Sequence, residues 1–276
     1  MITAAIVLFN NDIEVLKKTV NSFLNTSIKK KLYLIDNSTS NKLEAFFKSP
    51  EIEYLFVGKN IGFGAAHNLV LNKISSNFHL ILNPDVVFSP EVIPSLIKVL
   101  HENSNVAFVT PKVLYPSIKP QYICRKHLTL FDLLNRKLKI SKKQFFNREY
   151  RERDLQKPFY PDFIHGCFML FKTTDLKKLK GFDERFFLYM EDADICRRID
   201  EIGKKKLYYP KVEIIHHHQQ GSSKSFKLFI RHTSSAIKYF LKWGFNKKNR
   251  LHLIRDFFKM YLIQKLESKE FKIYLQ

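Results

Sequence analysis

From its first residues the chain alternates short apolar runs with longer stretches in which apolar side chains recur every three or four positions. A continuous apolar run suits a strand buried on both faces, and the three-to-four spacing suits a helix with one face on a core. The pattern predicts strands at 3–9, 32–35, 54–57, 79–82 and 106–109, with helices at 12–24, 41–47, 65–74 and 90–101 between them. Further strands are expected at 163–171, 207–209 and 212–215, and residues beyond 222 read as helical. Such alternation predicts an α/β domain with a mainly parallel central sheet flanked by helices. Ligands of such sheets gather beyond the carboxyl ends of the strands.

The residues in those places are polar in every case. Asn10 follows the first strand, Asp36-Asn37-Ser38 the second, Asn60 to Asn68 lie beyond the third, and Asn83-Pro84-Asp85 follow the fourth. Each is also an ordinary turn former; four in succession, each able to contact one nucleotide, suggest more. Asp36 is suited to accept from the N–H edge of a base, and Asn60 and Asn68 to contact base, ribose or phosphate. Gly62 and Gly64 would let backbone approach the nucleotide closely. Asp85 is suited to hold a divalent cation against a diphosphate, since hard cations such as Mg²⁺ and Mn²⁺ favour carboxylate and phosphate oxygens. The Gly-x-Gly at 62–64 completes no dinucleotide fingerprint, because His67 stands where a third glycine belongs, and no Gly-Lys-Ser/Thr follows.

A second cluster lies downstream. His165-Gly166-Cys167 is followed by Gly181-Phe182-Asp183-Glu184-Arg185-Phe186-Phe187 and then by Glu191-Asp192-Ala193-Asp194. Three acids in four residues repel one another, so they need a cation, a proton to carry, or solvent. A helical pattern continues through Ile195-Cys196-Arg197-Arg198-Ile199, which places the acids in a first turn where the helix dipole favours negative charge. Beyond the last strand stands His216-His217-His218. Side chains alternate faces along an extended chain, so at most two of the three share a site.

Composition narrows the classes. Lys and Arg total 47 against 26 for Asp and Glu, a formal charge of +21, which points to an anionic partner or surface. The basic, glycine-free segment at 118–157 reads as an inserted helical hairpin or flexible loop, and 222–276 as a basic amphipathic helical extension to a domain at 1–221. In that extension only Asp256, Glu267 and Glu270 oppose the basic residues, while Phe, Leu, Tyr and Trp interleave with them. This composition suits helices in an anionic membrane interface, or a helical cap packed on the domain. The three cysteines form no CxxC pair, so neither a disulfide framework nor a zinc site is expected. The apolar opening reads as a buried strand rather than a signal peptide, and no stretch reaches the roughly 18 uncharged apolar residues of a membrane span. A cytoplasmic protein, peripheral at the inner face of the cell membrane, is expected.

In combination and in this order the motifs resemble the family 2 glycosyltransferases of GT-A fold, in particular a bacterial rhamnosyltransferase-like branch. The carriers are Val7-Leu8-Phe9-Asn10, Ile35-Asp36-Asn37-Ser38, the Asn60 to Asn68 run, Leu82-Asn83-Pro84-Asp85, His165 to Leu170, and Gly181 through Asp194. The resemblance implies Asp36 as base-binding acid, with Asn10, Asn60, Gly62, Asn68 and Asn83 around the nucleotide. Asn83-Pro84-Asp85 stands where the family carries Asp-x-Asp, which implies Asp85 as the carboxylate on Mg²⁺ or Mn²⁺. Either His216 or His217 matches a late histidine that reaches metal or diphosphate. Asp192 matches the catalytic base, and His165, Gly166, Glu191 and Asp194 are expected around the acceptor.

The implied activity is an inverting, metal-dependent transfer of a sugar from a nucleotide-sugar donor to a hydroxyl of a saccharide acceptor. The branch favours dTDP-rhamnose over a UDP-sugar, and a lipid-linked acceptor in bacterial surface polysaccharide synthesis such as O-antigen or capsule. A nucleotidyltransferase would need a Gly-rich, basic motif after the first strand, where this chain has Asn10-Asn11-Asp12. A nucleic-acid-binding protein would use the +21 charge and need neither Asp85 nor Asp192. A non-catalytic membrane scaffold on a degenerate transferase fold would likewise not require the acids.

Overall fold

A computed structural model describes residues 1–129, 141–217 and 226–244. The strand Ile2–Leu8 (β1) is buried on both faces: Ile2, Ala4, Ile6 and Leu8 pack with Leu16, Val20 and Phe23 on one side, while Ala5 joins Tyr33, Ile35, Ala66 and Val70 on the other. This two-sided burial explains the unbroken apolar run. The helix Ile13–Leu24 (α1) starts at Asp12, whose carboxylate accepts from the N–H groups of Glu14 and Val15 at 2.9 and 3.0 Å. The strands Lys30–Asp36 (β2), Ile52–Phe56 (β3) and Phe78–Leu82 (β4) extend the sheet in parallel, in the order β3-β2-β1-β4.

Beyond β4 the sheet changes character. Val86–Val87 (β5) and the helix Val92–Glu102 (α3) lead into Val106–Leu114 (β6). Phe168–Lys172 (β9) inserts antiparallel between β4 and β6, and Lys205–His216 (β10) runs parallel to β6. The eight-stranded order is β3-β2-β1-β4-β9-β6-β10-β5, a mixed and mostly parallel sheet. A small second sheet pairs Cys124–Arg125 (β7) with Phe163–Ile164 (β8). The remaining helices are Phe63–Asn68 (α2), Lys142–Arg148 (α4), Thr173–Lys178 (α5), Glu191–Glu201 (α6) and Phe226–Trp243 (α7).

Several elements depart from the periodicity. The helix expected at 41–47 is a single 3₁₀ turn, Glu44–Phe46, because so short a segment before Pro50 repays little of the cost of nucleating a helix. The helix at 65–74 breaks into α2 and a 3₁₀ turn at Leu71–Lys73, since the Asn68 side chain is committed to the loop that follows Gly181. The strand at 163–171 divides into β8 and β9 around His165-Gly166-Cys167. The strands at 207–209 and 212–215 are one strand, with a bulge after Tyr209 where Pro210 lacks an N–H. The basic insert is not simply helical: it contributes β7 as well as α4, and 130–140 lies outside the described residues.

The basic extension folds back onto the protein as far as it is described. On α7, Ala236, Tyr239 and Phe240 are buried, Ser235 donates to the Leu188 carbonyl at 2.8 Å, and Lys238 donates to the Arg185 carbonyl at 2.8 Å. The buried residues Ala236, Tyr239 and Phe240 therefore pack this helix on the domain, and residues 245–276 lie outside the described residues. Among the described residues, no helix is long and apolar enough to cross a membrane.

Candidate active site

The carboxyl edge of the sheet brings distant segments together through strand pairing. The Asn83 N–H donates to the Cys167 carbonyl at 2.9 Å, so the turn after β4 lies against the His165-Gly166-Cys167 segment before β9. Thr19 of α1 steadies this turn by donating from its hydroxyl to the Pro84 carbonyl at 2.9 Å. Next, β5 pairs antiparallel with the end of β10 and sets His216 opposite Val86, which carries the imidazole to Asp85. His216 Nε2 lies 3.3 Å from Asp85 Oδ1. Gln121 fixes the ring, lying 3.0 Å from Nδ1 with Oε1 and donating from Nε2 to the His216 carbonyl at 2.6 Å. His217 takes the opposite face: its N–H donates to the Asp85 carbonyl at 2.9 Å and its side chain is exposed. Strand alternation thus turns His216 inward, and His217 is not placed to hold a metal.

Burial pulls the His216 imidazole down, but the Cys167 sulfur and the Asp85 carboxylate outweigh it and carry its pKa up to about 10. Asp85 Oδ1 is buried and makes no hydrogen bond. A carboxylate and an imidazole side by side are suited to exchange the proton between them for a divalent cation. Among the described residues no three His, Cys, Asp or Glu side chains converge on one point, so such a cation would need other oxygens. Two protein ligands completed by substrate phosphates is the arrangement Mg²⁺ and Mn²⁺ commonly take, and the residues fit it.

The acids at 191–194 divide by direction. Tyr189 and Met190, with φ of 69° and 71°, take two consecutive left-handed steps into α6, a conformation that costs non-glycine residues about 1–2 kcal/mol each. The turn delivers Asp192 to the cavity, where its Oδ2 accepts from the Gly166 N–H at 3.2 Å and its Oδ1 from the Ala193 N–H at 2.8 Å. A Cβ on Gly166 would stand 3.2 Å from the Asp192 Cβ, so this glycine makes room for the Asp192 side chain. Glu191 is buried, and its Oε2 has no hydrogen-bond partner. Burial, with the Asp192 charge beside it, holds the Glu191 carboxyl well above the usual carboxylate range. Burial also raises Asp192, against the pull of the Gly166 and Ala193 N–H groups and of Arg125.

Asp194 serves a different purpose from the one expected of it. It is fully buried, bound by Arg198 Nε at 2.7 Å, Lys242 Nζ at 2.6 Å and Trp243 Nε1 at 2.8 Å. It pins α7 to α6 and has no approach to an acceptor.

Asn83, Asp85, His165, Gly166, Glu191, Asp192 and His216 all line one cavity of about 490 Å³. The other expected nucleotide residues do not line it. Asp36 is fully buried at the end of β2, accepting from the Ser38 N–H at 2.9 Å and the Tyr54 hydroxyl at 2.5 Å. Asn10 is exposed with φ of 52° and its N–H on Ser38 Oγ. Asn60 accepts from the Gly62 N–H at 3.0 Å. Gly62, at φ +95°, is pressed against Phe187, whose carbonyl oxygen would lie 2.4 Å from a Cβ; close approach is needed there for protein backbone rather than for a nucleotide. Asn68 spends its amide on the Phe182 N–H and carbonyl and on Glu184.

Other cavity residues were not singled out from the sequence. The insert supplies Gln121, Tyr122, Arg125, Arg148, Glu149 and Arg151, and α7 supplies His232. The only sequence signal was arginine interleaved with tyrosine and phenylalanine at 145–153. Nothing local indicated that this segment returns to the carboxyl edge, because the pairing of β7 with β8 that brings it there is non-local.

A mixed, mostly parallel sheet of this order, with a polar cavity at its carboxyl edge, defines the GT-A class of glycosyltransferase fold. Solved structures of similar fold include a mannosyltransferase, PcManGT from Pyrobaculum calidifontis, in complex with GDP-Man and Mn²⁺ (TM-score 0.60, 14% identity, 87% of this chain and 63% of that one). Another is GalNAc-T7 with UDP, GalNAc and Mn²⁺ (TM-score 0.63, 14% identity, 87% of this chain and 47% of that one). The chain belongs to the glycosyltransferase-like family 2, whose model matches residues 2–235. Relatives include the N-acetylglucosaminyl-diphospho-decaprenol L-rhamnosyltransferase of Mycobacterium tuberculosis, 25% identical over 229 residues (74% of this chain, 72% of that protein). Rhamnosyltransferase WbbL of Escherichia coli is 27% identical over 194 residues (64% and 69%).

Proposed function

We propose that this protein is an inverting glycosyltransferase that moves a sugar, with L-rhamnose from dTDP-rhamnose the favoured case, to a hydroxyl of a lipid-linked saccharide in bacterial surface polysaccharide synthesis. The observation that carries the reading is Asp192, held by the Gly166 N–H in the same cavity as Asp85 and His216. Relatives named as rhamnosyltransferases support the choice of sugar, and one named for an N-acetylglucosaminyl-diphospho-lipid supports the choice of acceptor.

In this mechanism the donor diphosphate lies beside Asp85 and His216, which would hold Mg²⁺ or Mn²⁺. A bound cation of that kind supplies charge stabilisation for the departing nucleoside diphosphate. The acceptor hydroxyl attacks the anomeric carbon from the face opposite the diphosphate. A new C–O bond forms as the bond to the phosphate oxygen breaks, the electron pair leaves with the diphosphate, and the hydroxyl proton passes to Asp192. Burial raises Asp192 towards the pKa useful to a general base, and burial with the Asp192 charge raises the Glu191 carboxyl beside it. Tyr189 and Met190 line the same cavity and hold the acidic turn against it.

The test is release of nucleoside diphosphate from dTDP- and UDP-sugars with Mg²⁺ or Mn²⁺, with Asp192→Asn as the comparison. The variant is expected to lose at least a hundredfold in turnover and to keep donor affinity within about threefold, because proton abstraction and donor binding are separate roles. Retained turnover in the variant would remove Asp192 from the role of base.

A further inference from the structure

Two consecutive left-handed residues, Tyr189 and Met190, stand immediately before the acids of the cavity. Such backbone persists only where the surrounding structure over-determines it. The helix α7 supplies much of that constraint. Arg231, Ser235, Lys238 and Lys242 recur at intervals of four, three and four residues, which puts them in one stripe along the helix. The segment 183–188 lies along this stripe. The Arg231 guanidinium is 4.1 Å from the centre of the Phe187 ring, and the Ser235 hydroxyl donates to the Leu188 carbonyl at 2.8 Å. Lys238 donates to the Arg185 carbonyl at 2.8 Å, and Lys242 to the Asp183 carboxylate at 2.8 Å. His232, one position beyond Arg231, meets the Tyr189 ring with centres 5.2 Å apart.

Docking of α7 does not require these contacts, because Ala236, Tyr239 and Phe240 are buried against the domain and Asp194 holds Lys242 and Trp243. What the stripe adds is a grip on main-chain carbonyls, which sets the path of the backbone. The Phe63 N–H of α2 takes the intervening Phe187 carbonyl at 3.0 Å, so the carbonyls of 185, 187 and 188 are all held just ahead of the left-handed pair. Ser235 is 3% exposed, and its acceptor belongs to the residue directly before Tyr189. Two residues after Met190, Asp192 reaches the Gly166 N–H at 3.2 Å, the long end of the range for such a bond. A small shift of the turn is enough to break it.

We propose that Ser235, assisted by Lys238, is a positioning residue for the reaction: by holding the Leu188 and Arg185 carbonyls it keeps the left-handed turn in place and so aims the Asp192 carboxylate into the cavity. This rests on the transferase reading above and deepens it. Neither side chain lines the cavity, so both act through the loop. A displacement of about 1 Å at a reacting group can cost about a hundredfold in rate, so even partial release of the turn is visible in kcat.

The test compares the purified full-length protein with Ser235→Ala, Ser235→Thr and Lys238→Ala. Nucleoside diphosphate release from the sugar nucleotide that the native protein turns over is measured with Mn²⁺, and hydrogen exchange is followed without ligand. The reporting amides are Gly166 and Ala193, which donate to the Asp192 carboxylate, and Asp194, which donates to the Met190 carbonyl. Ser235→Ala is expected to lower kcat at least fivefold with donor KM within about twofold, and to speed exchange at these amides at least fivefold while β1 and β4 exchange as in the native protein. Ser235→Thr keeps the hydroxyl and is expected to recover part of kcat. Lys238 is exposed, so Lys238→Ala leaves the buried face of α7 intact and is expected to lower kcat at least twofold. Unchanged kcat in Ser235→Ala, unchanged exchange at the three amides, a rise in donor KM with kcat kept, or faster exchange throughout the sheet would each overturn the proposal. Absence of release from every donor by the native protein would strike at the transferase reading, and exchange at the three amides would still decide whether α7 holds the turn.

Discussion

Replacing Asp194 with Ala separates the two acids that stand two residues apart at the start of α6. Asp194 is fully buried and bound by Arg198, Lys242 and the Trp243 indole at 2.7, 2.6 and 2.8 Å. Removing one partner of a buried ion pair costs roughly 3–5 kcal/mol, because the remaining charge is left uncompensated. Here the cations keep other partners: Lys242 retains Asp183 at 2.8 Å, and Arg198 retains the carbonyls of Leu179 and Gly181 at 2.8 and 2.9 Å. The low end applies, about 3 kcal/mol, which for a chain of this size lowers Tm by about 5 °C. Trp243 is the only tryptophan, so its emission reports on the contact between α6 and α7 directly. The assay is urea unfolding followed by that emission, with acceptor KM measured at a temperature where the variant is folded. Asp194→Ala is expected to be destabilised, to show altered native emission, and to keep its acceptor KM. Unchanged stability with a tenfold or larger rise in acceptor KM would show that Asp194 faces the acceptor after all.

Three further outcomes follow from the geometry. Gly62→Ala is expected to lose about 2 kcal/mol or more in urea unfolding, since it combines a φ of +95° with a Cβ 2.4 Å from the Phe187 carbonyl oxygen; a neutral result would refute that packing. Asp85→Ala is expected to abolish the Mn²⁺-dependent part of nucleoside diphosphate binding in calorimetry, and equal affinity with and without Mn²⁺ in the native protein would refute the site. The carboxyl of Glu191 is raised on folding, so its contribution to stability is present below its unfolded pKa of about 4.5 and lost as pH rises towards the folded value. Glu191→Gln has no such loss, and its stability relative to the native protein is expected to grow above pH 4.5 by up to about 1.4 kcal/mol per pH unit; a difference flat with pH would count against a raised carboxyl.

The periodicity of the chain by itself determined the α/β class, most of the strands of the sheet and the candidate turns at its carboxyl edge. Those features are local: an apolar run buried on two faces is readable in β1 without knowing what covers it, and a polar turn after β4 marks itself. The motifs also identified the acids, but not their directions. Within α6 only tertiary structure decided that Asp192 faces the cavity, that Glu191 is buried beside it, and that Asp194 turns to α7, because Lys242 and Trp243 come from 48 and 49 residues away. Pairing of β5 with β10 likewise chose His216 over His217. Asn60, Gly62 and Asn68 looked like nucleotide contacts because asparagine and glycine suit close approach; the structure spends them on the loops ending at Gly62 and following Gly181. Most hidden were the cavity arginines of the insert, Arg125, Arg148 and Arg151. The two-residue pairing of β7 with β8 returns the insert to the edge where Asp192 sits, and a contact set by non-local pairing leaves no period in the sequence.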